Sequence, residues 1–109
     1  MKETKNLLFV CEGNEQRSPT FEIWFKENRP QYNVKSAGIR SYSSVILTKE
    51  LLYWADIVYV MDLEQEIFIY RKFPEFLGKI VVVGCSDQYP GGSLELINLI
   101  EYWANKNNL

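Results

Sequence analysis

The sequence contains no histidine and only two cysteines, Cys11 and Cys85. Without histidine, acid–base chemistry must fall to carboxylates, cysteine, tyrosine or lysine, which excludes Ser-His and Cys-His catalysis and argues against a zinc site. Two cysteines are too few for a disulfide scaffold, and free thiols persist in a reducing compartment. We therefore expect a cytoplasmic protein that uses no metal and no other cofactor.

Long apolar runs and a strong net charge are also missing. The first apolar run, residues 7–11, is too short for a signal peptide, and no run approaches the ~20 residues of a membrane span. The net charge of -2 provides no general attraction to nucleic acid or anionic membranes. With 109 residues, 47% of them hydrophobic, the chain fits one compact domain, residues 1–109. We expect a monomer or weak dimer with neither nucleic-acid nor membrane partners.

Short apolar runs alternate with stretches of helical pattern along the chain. The runs predict strands over residues 6–11, 32–38, 56–62 and 79–85. Such alternation is typical of an α/β fold. The predicted fold class is a three-layer architecture, in which helices cover both faces of a four-stranded parallel sheet.

Capping residues mark where the predicted helices begin. Ser18 followed by Pro19 is a helix start, Thr48 precedes a helix within 47–55, and Ser93 precedes the last helix. Another helix is expected over 63–73. Because ligands of parallel sheets bind beyond the carboxyl ends of the strands, we expect Cys11 and the segment 85–87 to meet at one edge of the molecule.

The loop over residues 11–18, Cys-Glu-Gly-Asn-Glu-Gln-Arg-Ser, joins the first strand to the first helix. Backbone N–H groups of such a loop can converge on an anion, and the helix dipole adds positive potential there. Gly13 and Asn14 tolerate the left-handed backbone that this curvature requires. Arg17 can direct two N–H donors at two phosphate oxygens, and the same environment favours a thiolate at Cys11. The loop is therefore predicted to bind phosphate with a thiol at its centre.

Residues 9–19, FVCEGNEQRSP, resemble the phosphate loop of low-molecular-weight protein tyrosine phosphatases, Cys-x-Gly-Asn-x-x-Arg-Ser-Pro, in which five residues separate the cysteine from the arginine. The resemblance continues in SAGI (36–39), in LTKELLYWADIVYVMD (47–62), and in SDQY (86–89), where the family has Asp-Pro-Tyr. It spans nearly the whole chain. It implies a metal-independent phosphomonoester hydrolase that acts on phosphorylated proteins or small phosphomonoesters.

The resemblance also implies catalytic roles. Cys11 would be the nucleophile that forms a phosphocysteine, Arg17 would bind the phosphate, and Asp87 would be the general acid. Asp87 is followed by Gln88 instead of the family's proline, so its loop can differ in shape. An aspartate in a turn can equally be a turn former.

The remaining predicted site residues bind substrate or hold the loop. The substrate-binding set is Glu12, Gly13, Asn14, Glu15, Gln16, Ser18 and Tyr89. The resemblance assigns Asn14 and Ser36 to support of the loop, and it assigns Ser18 a hydrogen bond to the thiolate besides its cap. Tyr89 can flank an aromatic substrate ring or pack as an ordinary loop aromatic. The two glutamates place negative charge near the phosphate and favour substrates with basic flanks, unless their side chains point to solvent.

Two differences from the family leave alternatives open. The chain lacks a segment between Ile39 and Leu47 that carries an aromatic wall in the family, which predicts a more open or differently walled pocket. A phosphate- or phosphopeptide-binding module with little turnover is therefore the second hypothesis. Arsenate reduction is the third, because Cys85 lies near the site, but the count of two cysteines does not supply the further thiols of a disulfide relay.

Overall fold

The computed structural model describes residues 4–109, so residues 1–3 of the predicted domain lie outside it. Strands and helices alternate as the sequence predicts. In chain order they are β1 (Asn6–Cys11), α1 (Arg17–Asn28), β2 (Asn33–Gly38), α2 (Lys49–Trp54), β3 (Ile57–Val60), α3 (Leu63–Lys72), a 3-10 helix (Pro74–Lys79), β4 (Ile80–Val82) and α4 (Leu94–Lys106). No helix within this range is both long and apolar enough to cross a membrane.

The four strands form one parallel sheet in the order β2-β1-β3-β4. The predicted fold class is confirmed. After β1 the chain moves first to one neighbour, β2, and then to the other, β3, so the carboxyl end of β1 is the topological switch point. Cys11 is the last residue of β1. It therefore occupies the position where open α/β sheets bind their ligands.

Each face of the sheet is covered by its own hydrophobic cluster. On one face Phe9 packs among aromatic residues of α1 and α4, with ring centroids 5.1 Å from Phe21 and 6.2 Å from Trp103. On the other face Leu8 and Val10 pack against residues of α2 and α3. Because β1 contributes alternate side chains to both clusters, it is the most deeply buried strand.

The start of α1 differs from the prediction. The helix begins at Arg17, its N-cap is Gln16, and no side chain caps it. Ser18 is the second residue of the helix, and its hydroxyl contacts Cys11 instead. The predicted cap at Ser18 was wrong because the helix begins at Arg17, two residues before the predicted first residue Pro19, so that Ser18 lies within its first turn. Thr48 and Ser93, in contrast, do cap α2 and α4 as predicted.

The fourth strand is shorter than the predicted 79–85. It comprises Ile80–Val82 only, and Gly84 then adopts a left-handed backbone with φ 82°. The carbonyl of Met61 accepts from the N–H groups of both Gly84 and Cys85. The ladder thus ends in a turn, and Cys85 lies three residues beyond the strand rather than at its last position.

Candidate active site

The Cys11 thiol lies at the floor of the loop between β1 and α1. Its Sγ is 3.0 Å from the Ser18 hydroxyl and accepts from the Asn14 backbone N–H at 3.2 Å. The residue is only 3% exposed. The sulfur therefore lies within hydrogen-bonding distance of both the loop backbone and a hydroxyl of α1.

Asn14 fixes the shape of this loop. Its backbone is left-handed, with φ 53°, a conformation that asparagine tolerates better than most residues. Its buried side-chain amide donates to the hydroxyls of Ser18 and Ser36, both at 2.9 Å. Ser36 in turn donates to the Glu22 carboxylate. The two residues predicted to support the loop, Asn14 and Ser36, are therefore joined by a hydrogen bond between their side chains.

Gly38, the last residue of β2, allows this loop to approach the sheet. A Cβ built at Gly38 would lie 2.7 Å from the Asn14 nitrogen and 2.8 Å from the Glu12 oxygen, both of them backbone atoms. The carbonyls of Cys11 and Glu12 accept from the N–H groups of Ile39 and Arg40. The end of β2 thus forms a wall against which the phosphate loop is closely packed.

Arg17 is buried, with 3% exposure, and two partners orient its guanidinium. Nη1 donates to the Asp62 carboxylate at 2.9 Å and to the Cys85 carbonyl at 2.8 Å. Nε and Nη2 make no hydrogen bond within residues 4–109 and remain available to an anion. A buried guanidinium requires such partners, so these contacts hold Arg17 ready beside the thiol.

Three carboxylates gather behind the loop, in Glu12, Asp62 and Glu64, with one oxygen of each within 4.8 Å of the others. All three are paired with arginine: Asp62 with Arg17, Glu12 with Arg40 at 2.8 Å, and Glu64 with Arg40 at 3.9 Å. The hydrogen bond between the Glu12 and Glu64 carboxyl groups raises the pKa of Glu64. This arrangement is an ion-pair network, in which two arginines, Arg17 and Arg40, offset most of the negative charge of the three carboxylates.

The Glu12 side chain does not point freely to solvent. It also accepts from the amide of Gln65 at 2.6 Å, which holds it against α3. Glu15, by contrast, is exposed. Of the two loop glutamates, only Glu15 is free to meet a group that enters the pocket.

The thiol opens into a cavity of about 230 Å³ that contains most of the predicted site residues. Its lining comprises Cys11, Glu12, Gly13, Glu15, Gln16, Arg17, Tyr42 and Asp87. Asp87 is exposed at this cavity. The structure therefore brings three residues to one pocket: Cys11 as the proposed nucleophile, Arg17 as the residue proposed to bind the phosphate, and Asp87 as the proposed general acid.

The aromatic residue in this lining is Tyr42, not Tyr89. Tyr42 belongs to the short segment after β2, and a Cβ at Gly13 would lie 2.8 Å from its ring. Tyr89 packs instead against the hydrophobic cluster of β1, α1 and α4. The segment after β2 thus supplies an aromatic side chain, Tyr42, to the wall of the pocket. The sequence predicts that this pocket is more open or differently walled.

Hydrogen bonds to α1 hold the segment that carries Asp87. The Gly91 N–H donates to the Gln16 side chain, and the Gly92 N–H donates to the Thr20 hydroxyl at 3.0 Å. Sequence reasoning missed Thr20, because its partner lies 72 residues away. The only sequence feature that could have indicated this role is the position of Thr20, one helical turn after Gln16.

Cys85 is buried, with 1% exposure, and burial raises the pKa of its thiol. It contributes its backbone carbonyl to Arg17, and both cysteines are free. The side chain is therefore poorly suited to the rapid thiol exchange that a disulfide relay requires.

A scan against models of protein families found no match. A curated relative, the low-molecular-weight protein-tyrosine-phosphatase Ptp of Acinetobacter johnsonii, is 34% identical over 103 residues, an alignment that covers 73% of this chain and 72% of the relative. The chain belongs to the low-molecular-weight protein-tyrosine-phosphatase family. The predicted family and the predicted class of enzyme, a phosphatase, are thereby confirmed, and neither arsenate reduction nor a binding module is favoured.

Solved phosphatase structures share the fold. The YwlE arginine phosphatase of Geobacillus stearothermophilus matches with a TM-score of 0.71 and 26% identity, over 95% of this chain and 93% of its own. Wzb of Vibrio vulnificus, solved with benzylphosphonate, matches with a TM-score of 0.80 and 23% identity, over 98% of this chain and 100% of its own. The chain therefore shares the fold of these phosphatases.

Proposed function

We propose that this protein hydrolyses phosphotyrosine-like monoesters through a phosphocysteine on Cys11. The observation that carries the proposal is the position of the thiol, 3.0 Å from the Ser18 hydroxyl, in a pocket that also contains Arg17 and Asp87. A protein that only binds phosphate needs the loop and the arginine but no buried thiol among donors. The single domain of residues 1–109 supplies every group in this scheme.

In the first step the Cys11 thiolate attacks phosphorus and forms the S–P bond while the bond from phosphorus to the phenolic oxygen breaks. The leaving phenolate takes a proton from the Asp87 carboxyl group. Arg17 and the backbone N–H groups of the loop bind the equatorial oxygens, whose charge they stabilise in the transition state.

In the second step water attacks the phosphocysteine. The Asp87 carboxylate, now deprotonated, takes a proton from that water as the S–P bond breaks, which releases inorganic phosphate and the thiolate. The Ser18 hydroxyl stabilises the sulfur anion as it leaves. The two steps consume one water molecule, and Asp87 and the Cys11 thiolate return to their starting protonation states without a metal.

The pocket supports an aryl phosphate as the substrate class. Tyr42 lies beside Gly13 at its wall and provides an aromatic surface for a tyrosine ring. The predicted role of Tyr89 at the substrate ring passes to Tyr42 in this proposal. Because both thiols are free, a reducing compartment such as the cytoplasm suits the enzyme.

The test is hydrolysis of p-nitrophenyl phosphate, without added metal, by wild type, Cys11→Ser and Asp87→Asn. We expect no turnover with Cys11→Ser and a reduction of roughly 10²-fold or more with Asp87→Asn, the usual contribution of general acid catalysis. Cys85→Ser is the matched control, because it removes the other thiol and leaves the Cys85 carbonyl in place.

Each outcome assigns a role. Loss of activity with Cys11→Ser alone would support Cys11 as the nucleophile and would rule out Asp87 as the general acid. Absence of turnover in the wild type, with phosphate still bound at the loop, would replace the enzyme with a phosphate-binding module.

A further inference from the structure

A second cavity, of about 740 Å³, adjoins the catalytic pocket. It lies between α1, the segment 90–92 and α4. Its apolar surface comes from Ile23, Trp24 and Ile97, and Ile23 is 58% exposed although it is a large aliphatic residue. The volume is within the range of roughly 300–1,000 Å³ that is typical of ligand sites. We call this cavity the α1–α4 groove.

The α1–α4 groove carries negative charge only. Glu15, Glu27 and Glu101 line it, all three side chains are exposed, and no lysine or arginine is among its lining residues. None of the three carboxylates forms an ion pair within residues 4–109. The nearby Arg29 stacks on the Trp24 ring at 4.9 Å and donates to Asn105 and to the carbonyl of Leu109, so it is turned toward the chain terminus.

The groove is continuous with the catalytic pocket. Glu15 and Gln16 line both cavities. Both residues belong to the phosphate loop itself. A substrate peptide whose phosphoryl group lies over Cys11 would therefore contact them where it enters the groove. An extended peptide advances about 3.3–3.6 Å per residue, so residues within a few positions of the phosphorylated one can reach the groove.

We propose that the α1–α4 groove binds the segment next to the phosphorylated residue of a peptide or protein, and that it selects segments that combine arginine or lysine with an apolar side chain. The proposal rests on the phosphatase function above and specifies its substrate class. Cationic side chains pair with the three carboxylates, while the apolar side chain covers Ile23, the exposed aliphatic residue of the groove. Charge complementarity of this kind contributes mainly to specificity and to the rate of association.

The test compares phosphotyrosine peptides that differ only in a flanking tripeptide: Arg-Leu-Arg, Gln-Leu-Gln or Glu-Leu-Glu, on either side of the tyrosine. We expect one of the two Arg-Leu-Arg peptides to exceed its Gln-Leu-Gln counterpart in kcat/KM by about three- to tenfold, the size that two exposed ion pairs provide. The Glu-Leu-Glu peptide should be the poorest substrate. Added salt should reduce the preference, because these charges are exposed.

The double variant Glu27→Gln with Glu101→Gln removes two of the three negative charges of the groove and leaves Glu15, which belongs to the phosphate loop, in place. It should hydrolyse p-nitrophenyl phosphate as the wild type does and lose most of the preference for the basic flank. Glu50→Gln is the matched control, because Glu50 is an exposed carboxylate on α2, against the other face of the sheet. It should leave the preference unchanged.

Binding separates this proposal from the proposed function. The Kd values of the same peptides for Cys11→Ser protein require no turnover. If p-nitrophenyl phosphate is not hydrolysed but the basic peptide binds more tightly, the groove stands and the catalytic proposal fails. If the ester is hydrolysed and the flanks make no difference to kcat/KM or Kd, the groove proposal fails alone. A dimer in sedimentation velocity that the double variant dissociates, with no preference among flanks, would assign the groove to a second copy of the chain.

Discussion

The Arg17 guanidinium donates to the Asp62 carboxylate over 2.9 Å, which links the arginine proposed to bind phosphate to the N-cap residue of α3. Asp62 accepts the Glu64 N–H with its other oxygen, Oδ1. It also takes part in a capping box with Gln65. One carboxylate therefore positions the arginine and caps a helix.

Asp62→Asn separates these two roles. Asparagine is an equally good N-cap, so we expect any loss in the free energy of unfolding to come from the weakened pair with the buried Arg17 and not from the cap. The loss of charge weakens the bond that orients Arg17. We expect kcat/KM for p-nitrophenyl phosphate to fall about tenfold, by analogy with the loss of one oriented electrostatic contact of ~1.4 kcal/mol. Steady-state kinetics and urea unfolding check both. Unchanged kcat/KM would mean that the Cys85 carbonyl alone is sufficient to orient the guanidinium.

Gly38→Ala tests the close approach of the loop to β2. The added Cβ would overlap with backbone atoms of Glu12 and Asn14, which cannot rotate away. We expect a loss of about 1–3 kcal/mol of stability, the usual cost of overpacking, together with weaker binding of phosphate. Gly78→Ala is the control, because a Cβ there meets nothing within 4 Å. Equal urea midpoints for the two variants would contradict the packing described here.

Thr20→Val tests whether α1 positions the segment that carries Asp87. Valine keeps the shape of threonine but cannot accept from the Gly92 N–H. Phenolate needs protonation more than p-nitrophenolate does, so displacement of the acid should affect phenyl phosphate more. We expect kcat to fall about threefold to tenfold for phenyl phosphate, below the roughly 10²-fold of a lost general acid, and less for p-nitrophenyl phosphate. An equal loss on both esters would show that Thr20 does not act through the acid.

The buried thiol of Cys85 makes stability depend on pH in the alkaline range. Burial raises its pKa in the folded state, whereas an unfolded cysteine ionises near pH ~8.5. Above that pH the unfolded chain releases a proton that the folded chain keeps, so stability falls as pH rises. The contribution of the neutral thiol is complete below about pH 8.5. Urea unfolding of wild type and Cys85→Ala across pH should show a shallower alkaline decline in the variant. Parallel declines would contradict this assignment.

The sequence predicted the sheet well because its strands are continuous apolar runs buried on both faces, as in Leu7–Val10 of β1. Motif spacing likewise placed Cys11 and Arg17 in one loop. Local signals failed where a residue had a distant partner. Ser18 is a residue type that commonly caps helices, but its hydroxyl contacts the Cys11 thiol and the Asn14 amide, and no side chain caps α1.

Long-range packing accounts for the remaining differences. Gly38 and Ile46 pair across the short segment after β2, which brings Tyr42 to the pocket. Nothing in the local pattern distinguishes Tyr42 from the other exposed tyrosines Tyr53, Tyr70 and Tyr102. The contact between Gln16 and Gly91 joins residues 75 positions apart and is equally invisible to periodicity.

Both hydrophobic clusters contain residues of β1, and this determines how the enzyme loses its activity on heating. The amide protons of β1 are covered from both faces, so they should exchange with solvent only when the entire molecule opens. Cys11, the proposed nucleophile, is the last residue of that strand. Heating should therefore disrupt the catalytic loop and the fold in one cooperative transition. The residual activity at each temperature should then equal the fraction of molecules that are still folded.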